Sequence, residues 1–285
     1  MSNANLMKAK LAKNDEFYTL YEDIEKEVSH YIDEFKNKTV YCNCDNPYKS
    51  NFCKFFLDNF RKLQLKRLIC TGYNKGGKGY ILDTTNPDDY IIGELKGDGD
   101  FASDECKKLI EEADIVCTNP PFSLLRKYIS TIYEFDKKFL FIGDHNTLSC
   151  KLIIPLFMDN RLHRGYNRVL NFKKPNGEFA RVHISFWFTN FHKKYTPIEL
   201  TEKYTPEKYP RYDNYEDAIN VDKVCDIPVD YYGIMGVPLS FMHKHDPSQF
   251  DIVGSDSLVL NTGDINFIIN GRRLYRRLLI KRHQE

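Results

Sequence analysis

The sequence predicts an α/β protein with a mostly parallel, doubly wound sheet, and three observations support this prediction. Short apolar runs alternate with amphipathic stretches over residues 40–145, an order that places helices on both faces of parallel strands. Gly, Asn, Asp or Pro follows each apolar run directly, as at the strand ends where such sheets bind ligands. Hydrophobic residues at 42% and charged residues at 28% are typical of a globular protein.

The elements of this sheet are expected in a regular order. Apolar residues at helical spacing predict a first helix from about 20 to 36, and Ser50 is the expected N-cap of the second. Ser103 or Asp104 is expected to cap the third helix, and a fourth begins at Phe122. The expected strands cover residues 39–45, 66–73, 80–83, 114–118 and 138–144.

The pattern is less regular after residue 150. Residues 178–191 predict a strand, whereas residues 195–232, rich in Tyr, Pro and Lys, predict extended and partly irregular segments. The basic stretch RRLYRRLLIKR, residues 272–282, predicts a terminal helix with a Leu/Ile stripe. We interpret GIMGVPLSF, residues 233–241, as a tight glycine turn that packs the C-terminal part against the sheet.

The composition also argues against several classes of protein. No apolar run approaches the roughly 20 residues of a membrane span, and the N-terminus lacks a signal-peptide stretch, so we expect a cytoplasmic location. The 8 cysteines form no C-x-x-C pair, and neither disulfides nor a metal site are expected. The net charge is only +1, so nucleic-acid binding would depend on local basic clusters.

The expected strand 114–118 ends in Asn119-Pro120-Pro121-Phe122, a turn that suits one kind of chemistry. The exocyclic amine of an aromatic base is a poor nucleophile, because its lone pair is delocalised into the ring. The Asn119 amide oxygen and the Pro120 carbonyl can accept its two hydrogens and favour tetrahedral geometry, while Phe122 stacks on the base. Such a tetrapeptide also occurs as a plain turn, but its position between a strand and a helix favours an amine-modifying site.

The same tetrapeptide matches the [DNS]-PP-[YFW] signature of amino-methyltransferases that use S-adenosylmethionine. Further stretches resemble the EcoRI-type adenine-specific DNA methyltransferase family, in one order along the chain. They are DEFYTLYEDIE, VYCNCDNPYKSNFCKFF, LKRLIC, GDGDFASDE, DIVCTNPPFSLLRKY, KKFLFI, residues 212–254 and the RRLYRRLLIK end. The resemblance implies a Rossmann-like S-adenosylmethionine-dependent methyltransferase fold that methylates the N6 amine of a flipped-out adenine in double-stranded DNA.

The resemblance also implies an organisation of the chain. Residues 1–145 would form the cofactor-binding and catalytic core with an N-terminal closing motif. Residues 146–285 would hold the rest of the sheet, the DNA target-recognition region and the basic C-terminal segment, packed on the core. We expect a monomer or a weak dimer. An RNA adenine or a protein glutamine amide as the acceptor, or a non-catalytic DNA-binding relative, are the alternatives left open.

The resemblance further implies roles for individual residues. Asn119, Pro120, Pro121 and Phe122 would form the pocket for the target adenine. The residues expected to contact S-adenosylmethionine are Phe17, Tyr18, Thr19, Cys42, Asn43, Cys44, Asp45, Tyr73, Asp100, Phe101 and Asn119.

Two places depart from the pattern of this enzyme class. The loop after the first strand lacks F-x-G-x-G, with Asn43 and Cys44 in place of glycines that allow close backbone approach. The second strand ends in CTGYN, without the acid that usually binds the ribose hydroxyls. Tyr73, Asn74 and Asp45 are the alternatives for that role.

Target recognition is expected in an insert at residues 146–190, which is short for the family. The cations predicted to contact DNA are Arg164, Arg168, Lys173, Lys174, Arg181, Arg272, Arg273, Arg276 and Arg277. Asn167 or Asn171 could read an adenine edge. The GAATTC site of the family's namesake is one candidate target sequence.

Overall fold

The computed structural model of the chain describes residues 18–144, 151–174, 177–260 and 266–284. Within these ranges the chain forms two compact units. The first unit comprises residues 18–144 and 165–191, and the second comprises residues 151–164 and 192–284. This division differs from the one expected at residue 145, because residues 165–191 return to the first unit.

Nine strands hydrogen-bond into one sheet. They are β1 (Tyr18–Thr19), β2 (Thr39–Cys42), β3 (Arg67–Gly72), β4 (Tyr80–Thr84), β5 (Ile92–Glu94), β6 (Ile115–Thr118), β7 (Lys138–Asp144), β8 (His163–Lys173) and β9 (Phe179–Thr189). Their spatial order is β1-β8-β9-β7-β6-β2-β3-β4-β5. Only β7, β6, β2 and β3 pair in parallel, while β4, β5, β9 and β1 pair antiparallel with their neighbours. The sheet is therefore mixed, and the expectation of a mostly parallel sheet applies to its four central strands alone.

The helices of the first unit lie at the expected positions. They are α1 (Tyr21–Val28), α2 (Asn51–Asp58), α3 (Asp104–Glu112) and α4 (Leu125–Tyr133), with 3-10 turns at Ile32–Phe35 and Phe122–Leu124. The Ser50 hydroxyl accepts the Phe52 N–H at 3.0 Å, and the Ser103 hydroxyl accepts the Cys106 N–H at 3.2 Å. Both N-caps are thus confirmed. The single helix expected over 20–36 is instead divided into α1 and a 3-10 turn.

The core of the first unit lies on both faces of the central strands. All four residues of β2 and of β6 are buried, which explains why these strands are short, continuous apolar runs in the sequence. Aromatic rings from the helices fill the space between helix and sheet. One example is Phe52 of α2, whose ring lies edge-on to Trp187 of β9 at 5.8 Å between centroids.

The second unit contains a five-stranded sheet, a two-stranded sheet and short helices. Its helices are α5 (Ile154–Met158) and α6 (Asp256–Val259), with 3-10 turns at Val224–Asp226 and Leu239–His243. Its strands are β10 (Arg211–Tyr212), β11 (Tyr215–Asn220), β12 (Ile234–Pro238), β13 (Phe250–Ser255), β14 (Ile268–Ile269), β15 (Arg272–Arg273) and β16 (Arg277–Arg282). The larger sheet has the order β10-β11-β12-β16-β13, and β14 pairs with β15.

Two expectations for the second unit are wrong. The basic segment expected to be a terminal helix forms β15 and β16, and β16 lies between β12 and β13. The stretch GIMGVPLSF, interpreted as a turn, contains β12. There, a Cβ at Gly236 would lie 1.9 Å from the Tyr212 hydroxyl, so the glycine serves close packing within a sheet.

None of the helices in the described part of the chain combines the length and the apolar character that crossing a bilayer requires.

Candidate active site

The Asn-Pro-Pro-Phe turn begins where β6 ends, at the centre of the nine-stranded sheet. Because β6 lies between β2 and β7 and is parallel to both, the turn shares an edge with the loops that follow them. Asn119 is half-buried and Pro120 is buried. The ring of Phe122 lies edge-on to Phe172 of β8, with 6.0 Å between the centroids. The sequence prediction of a turn at a strand end is confirmed.

The carboxyl group of Asp45 joins the loop after β2 to the turn after β6. The Ser50 hydroxyl donates to Oδ1 at 2.5 Å, and the Thr118 hydroxyl donates to Oδ2. The same Thr118 oxygen accepts the Cys44 N–H at 3.1 Å. The backbone N–H of Asn119 also bonds this carboxyl group. Two segments about seventy residues apart in sequence are thereby fixed against each other.

Burial sets the protonation of Asp45. The residue is 5% exposed, and this burial raises the pKa of its carboxyl group to about 6. Hydrogen bonds from Ser50, Thr118 and the Asn119 backbone act in the opposite direction and limit the rise. Both carboxyl oxygens are used inside the protein, so Asp45 positions the loop. Its predicted contact with the cofactor stays a prediction.

Asn43 stands where the enzyme class usually has glycine, and it is buried at 1% exposure. The Tyr128 hydroxyl of α4 donates to Asn43 Oδ1 at 3.1 Å. Asn43 Nδ2 has no hydrogen-bond acceptor among the described residues. A buried amide donor is costly unless something accepts its hydrogens, so this position fits a ligand that carries an acceptor.

The N-terminal motif lies beside the start of α2. The Thr19 carbonyl accepts a hydrogen bond from Asn51 Nδ2 at 2.7 Å, directly after the Ser50 that bonds Asp45. Thr19 is 2% exposed, and its hydroxyl has no hydrogen-bond partner among the described residues. Tyr18 pairs with Lys173 in the sheet. Phe17, the third residue expected here, lies outside the described residues.

The Gly-Asp-Gly-Asp-Phe segment crosses the end of β3 at close range. The Asn74 N–H donates to the Asp98 carbonyl at 2.8 Å. Gly99 has a φ of +83°, and a Cβ there would lie 2.6 Å from the Gly72 carbonyl oxygen. Only glycine fits such an approach with a left-handed backbone. The crossing brings Asp100 to the edge of the sheet beside the loop after β3.

Asp100 and Phe101 both contact α4. Asp100 Oδ1 accepts the Ala102 N–H at 3.0 Å, and Oδ2 lies 3.1 Å from Lys127 Nζ. Phe101 is 4% exposed, with its ring edge-on to Tyr128 at 5.3 Å and Lys127 Nζ 5.3 Å from its centroid. The predicted pair therefore lies at the sheet edge, with Lys127 beside it.

The remaining predicted cofactor residues differ in exposure. Tyr73 follows β3 and is 52% exposed, whereas Asn74 uses its amide to donate to the Lys78 carbonyl at 2.9 Å. Cys42 is fully buried, and burial raises the pKa of its thiol. Cys44 is half-buried, and burial raises the pKa of its thiol well above the usual value. Neither thiol is activated as a nucleophile, so these cysteines act as packing residues of the loop.

Comparison with known proteins agrees with this geometry. A family model described as adenine-specific methyltransferase EcoRI matches residues 5–283. The chain belongs to this family. It is a site-specific DNA methyltransferase that modifies adenine. Membership decides for DNA over RNA or a protein amide, and for an enzyme over a non-catalytic relative.

Curated relatives match the methyltransferase over almost their whole length. The Type II methyltransferase M.EcoRI of Escherichia coli is 38% identical, over 98% of this chain and 97% of its own. The Type II methyltransferase M.MpnI of Mycoplasma pneumoniae is also 38% identical, over 97% of this chain and 98% of its own. A Type II methyltransferase of Mycoplasma genitalium matches with the same identity and coverage as M.MpnI. No solved structure is significantly similar to the chain.

The cations predicted to contact DNA are not equally accessible in this methyltransferase. The exposed ones are Arg168, Lys173, Arg181, Arg272 and Arg273. Lys174 is half-buried and pairs with Glu178 at 3.1 Å, and Arg276 is half-buried 3.7 Å from Asp256.

Two of the predicted cations are buried. Arg164 is 5% exposed and Arg277 is 8% exposed. Arg277 Nε donates to Asn220 Oδ1 at 3.3 Å, and Asp222 lies 3.7 Å away. A phosphate contact would require either guanidinium group to leave its buried position. We therefore assign both arginines to the packing of the protein, since neither is exposed for the predicted contact with DNA.

Sequence reasoning missed the residues of α4 that complete the site. Lys127 and Tyr128 contact Asp100 and Asn43, which lie 27 and 85 residues away in the sequence. Spacing within α4 gives no sign of such distant partners. Thr118 was missed for the same reason, since its partner Asp45 lies on another strand–loop unit.

Proposed function

We propose that this methyltransferase transfers the methyl group of S-adenosylmethionine to the N6 amine of an adenine flipped out of duplex DNA. The observation that carries the proposal is the set of bonds from Ser50, Thr118 and Asn119 to Asp45. These bonds hold the Asn-Pro-Pro-Phe turn against the loop after β2. A site for the base and a site for the methyl donor are then side by side, as direct transfer requires.

The turn supplies the groups that act on the base. Asn119 Oδ1 and the Pro120 carbonyl accept the two hydrogens of the N6 amine, so the nitrogen lone pair becomes available as the geometry turns tetrahedral. Pro120 and Pro121 fix the direction of the carbonyl and leave no unpaired N–H. Phe122 stacks on the adenine, supported by its edge-on contact with Phe172.

The loop after β2 and the N-terminal motif supply the methionine end of the cofactor site. S-adenosylmethionine contributes the methyl group that the amine receives. The buried donors Asn43 Nδ2 and Thr19 Oγ1, without protein acceptors among the described residues, fit such a ligand. Tyr18 and the backbone of residues 42–45 lie in the same segments.

The other end of the cofactor site lies at the neighbouring strand ends. Asp100 would accept from the adenine amine of S-adenosylmethionine, and Lys127 holds Asp100 in place. Phe101 would contact the ring, and exposed Tyr73 is the candidate for the ribose hydroxyls. Four central parallel strands with this order of loops support a Rossmann-like methyltransferase core.

The variant Asn119→Ala tests the pocket. Removing one of two acceptors in the reacting site should lower methyl transfer by at least about a hundredfold. Binding of S-adenosylmethionine and of DNA should remain nearly intact, because the backbone N–H of residue 119 still bonds Asp45. Asn119→Asp is the matched variant, because it keeps an acceptor oxygen and should retain more activity than alanine. Transfer of radiolabelled methyl groups and isothermal titration measure the two effects.

The acceptor is tested with unmethylated genomic DNA. Sequencing that reports N6-methyladenine should place the modification within one short sequence motif. An Asn119→Ala variant with full transfer activity would refute the pocket. Label that enters DNA at cytosine instead would refute the proposed chemistry.

A further inference from the structure

Tyr128 of α4 contacts two residues that belong to the proposed cofactor site. Its hydroxyl donates to Asn43 Oδ1 at 3.1 Å, across 85 positions of the sequence. Its ring lies edge-on to Phe101, with 5.3 Å between the centroids. Tyr128 is fully buried, and α4 directly follows the 3-10 turn Phe122–Leu124. One side chain of the helix after the Asn-Pro-Pro-Phe turn therefore touches both the loop after β2 and the segment that crosses the end of β3.

The bond to Tyr128 determines which end of the Asn43 amide is free. Burial raises the pKa of the Tyr128 hydroxyl well above its usual value, so the hydroxyl keeps its proton. That proton needs an acceptor, and among the described residues Asn43 Oδ1 accepts it. A rotated amide would leave both this proton and Oδ1 without a partner there. The end that stays unpaired among the described residues is therefore Asn43 Nδ2, a donor.

Asn43 directly follows β2, the strand at which the order of the sheet reverses. β2 pairs in parallel with β3 on one side and with β6 on the other, and Asn119 directly follows β6. Sheets of this kind bind their ligands at such a switch point. The methyl group has to reach an amine held at Asn119. The sulfonium centre and the methionine chain attached to it therefore belong between the loops that follow β2 and β6.

A free amide donor at this place distinguishes between the two charged groups of a methionine chain. The ammonium group carries donors alone, whereas the carboxylate carries acceptors alone. A hydrogen bond from an N–H to an ionised acceptor is about twice as strong as one between neutral groups. Asn43 is 1% exposed, and a site of low dielectric constant strengthens such a bond further. The orientation of the Asn43 amide therefore matches the carboxylate.

We propose that Tyr128 is a positioning residue for S-adenosylmethionine. Its hydroxyl holds the Asn43 amide so that Nδ2 donates to the carboxylate of the methionine moiety. The inference rests on the proposed function, because it requires this ligand to bind at the loop after β2. Without the hydroxyl the amide can take several orientations, and ordering it on binding lowers the affinity. Tyr128 thus acts on the ligand through Asn43.

Isothermal titration of the full-length protein with two ligands tests the inference. The ligands are S-adenosylmethionine and its decarboxylated analogue, which keeps the sulfonium centre, the ammonium group and the adenosine. Tyr128→Phe keeps the ring contacts with Phe101 and Phe141. It should bind S-adenosylmethionine about three- to tenfold more weakly than the unmodified protein. Its affinity for the decarboxylated analogue should equal that of the unmodified protein, because the group that Asn43 recognises is missing.

A double-mutant cycle shows whether Tyr128 acts through Asn43. Asn43→Ala should weaken the binding of S-adenosylmethionine about ten- to a hundredfold, and adding Tyr128→Phe should cause no further loss. Tyr212→Phe is the matched control. Tyr212 of the second unit is 1% exposed, and its hydroxyl donates to Asn220 Oδ1 at 3.0 Å. This variant loses the same kind of buried bond and should bind S-adenosylmethionine as the unmodified protein does.

The outcomes separate the inference from the proposed function. An unmodified protein that does not bind S-adenosylmethionine would refute the proposed function. If the unmodified protein binds it, an unchanged affinity in Tyr128→Phe would overturn the inference. An equal loss for both ligands, or a further loss on the Asn43→Ala background, would show that Tyr128 only supports the fold, and would also overturn it. The proposed function would stand in each of these last cases.

Discussion

The buried carboxyl group of Asp45 joins the loop after β2 to the turn after β6. Its oxygens accept from Ser50, Thr118 and the Asn119 backbone, and burial still raises its pKa from 3.8 to about 6. The folded protein therefore binds a proton at Asp45 more tightly than the unfolded chain does. At the scale of single residues, stability and the geometry of the site depend on the same group.

This linkage gives a prediction for the pH dependence of stability. Between pH 4 and 6 the folded state holds more protons at Asp45 than the unfolded state, so stability from this group falls as pH rises. A pKa shift of this size corresponds to about 3 kcal/mol of stability, which is lost as the pH rises from about 4 to about 7. The asparagine side chain in Asp45→Asn does not titrate, so this variant should lack the pH-dependent contribution to stability. Urea unfolding of both proteins across this range measures the difference. A difference that stays constant with pH would contradict the assignment.

The sequence was sufficient to place the Asn-Pro-Pro-Phe turn but not the residues that hold it. Asn119 to Phe122 follow an apolar run and contain two prolines, both of which are local signals. The bonds from Thr118 to Asp45 and from Tyr128 to Asn43 join residues 73 and 85 positions apart. No local pattern carries such pairings, because they depend on which strands are neighbours in the sheet.

At the scale of elements, Glu27 holds helix α1 to strand β8. Glu27 is fully buried, and its carboxylate accepts the backbone N–H groups of Tyr166 and Asn167, each at 2.8 Å. Tyr31 donates to it at 3.1 Å. A Cβ at Gly165 would lie 2.1 Å from Glu27 Oε1, so glycine makes room for the carboxylate. Two successive N–H groups point the same way, which a regular strand does not allow.

The variant Glu27→Ala tests this support. It leaves two partly buried backbone N–H groups without an acceptor, so the free energy of unfolding should fall by about 2–4 kcal/mol. Glu25→Ala, on the exposed side of the same helix, is the matched control and should change stability little. Urea denaturation compares the two. Equal effects of both variants would show that the buried carboxylate does not hold β8.

The irregular path of β8 also explains why it was not predicted. Val169 and Phe172 are both buried although their spacing does not fit a regular alternation, so the strand lacks the usual period of two. Residues 272–282 were predicted to form a helix, but they contain the strands β15 and β16. Leu278, Leu279 and Ile280 are buried on both faces of β16, and such a run between arginines has the appearance of a helical stripe.

At the scale of the whole molecule, 41 Lys and Arg residues stand against 40 Asp and Glu residues, and the net charge is only +1. Arginines that are close in sequence have opposite roles. Arg272 is exposed on β15, whereas Arg277 is buried on β16 against Asn220. Attraction to DNA therefore depends on which cations reach the surface, and the total number of basic residues is a poor guide.

A pair of variants separates these two roles. Arg272→Ala should lower the slope of log affinity for DNA against log salt by about 1, because one phosphate contact is lost. Its free energy of unfolding should not change. Arg277→Ala should lower the free energy of unfolding by about 1–3 kcal/mol, since Asn220 loses a buried donor. Fluorescence anisotropy at several salt concentrations and urea denaturation measure these effects. An unchanged salt slope for Arg272→Ala would place β15 away from the DNA.

The burial of the thiols in the site has a practical consequence. Cys42, Cys53, Cys70, Cys106 and Cys117 are buried, and Cys44 is half-buried with a thiol pKa that burial raises well above its usual value, whereas Cys225 in the Val224–Asp226 turn is exposed. Maleimide dyes need an accessible thiolate, so in the described part of the chain they should react at Cys225. Cys150 lies outside the described residues and would be replaced by serine. The enzyme would then carry one dye on its second unit, and the rotational motion of that dye would report binding to DNA. No residue of the proposed site would be changed.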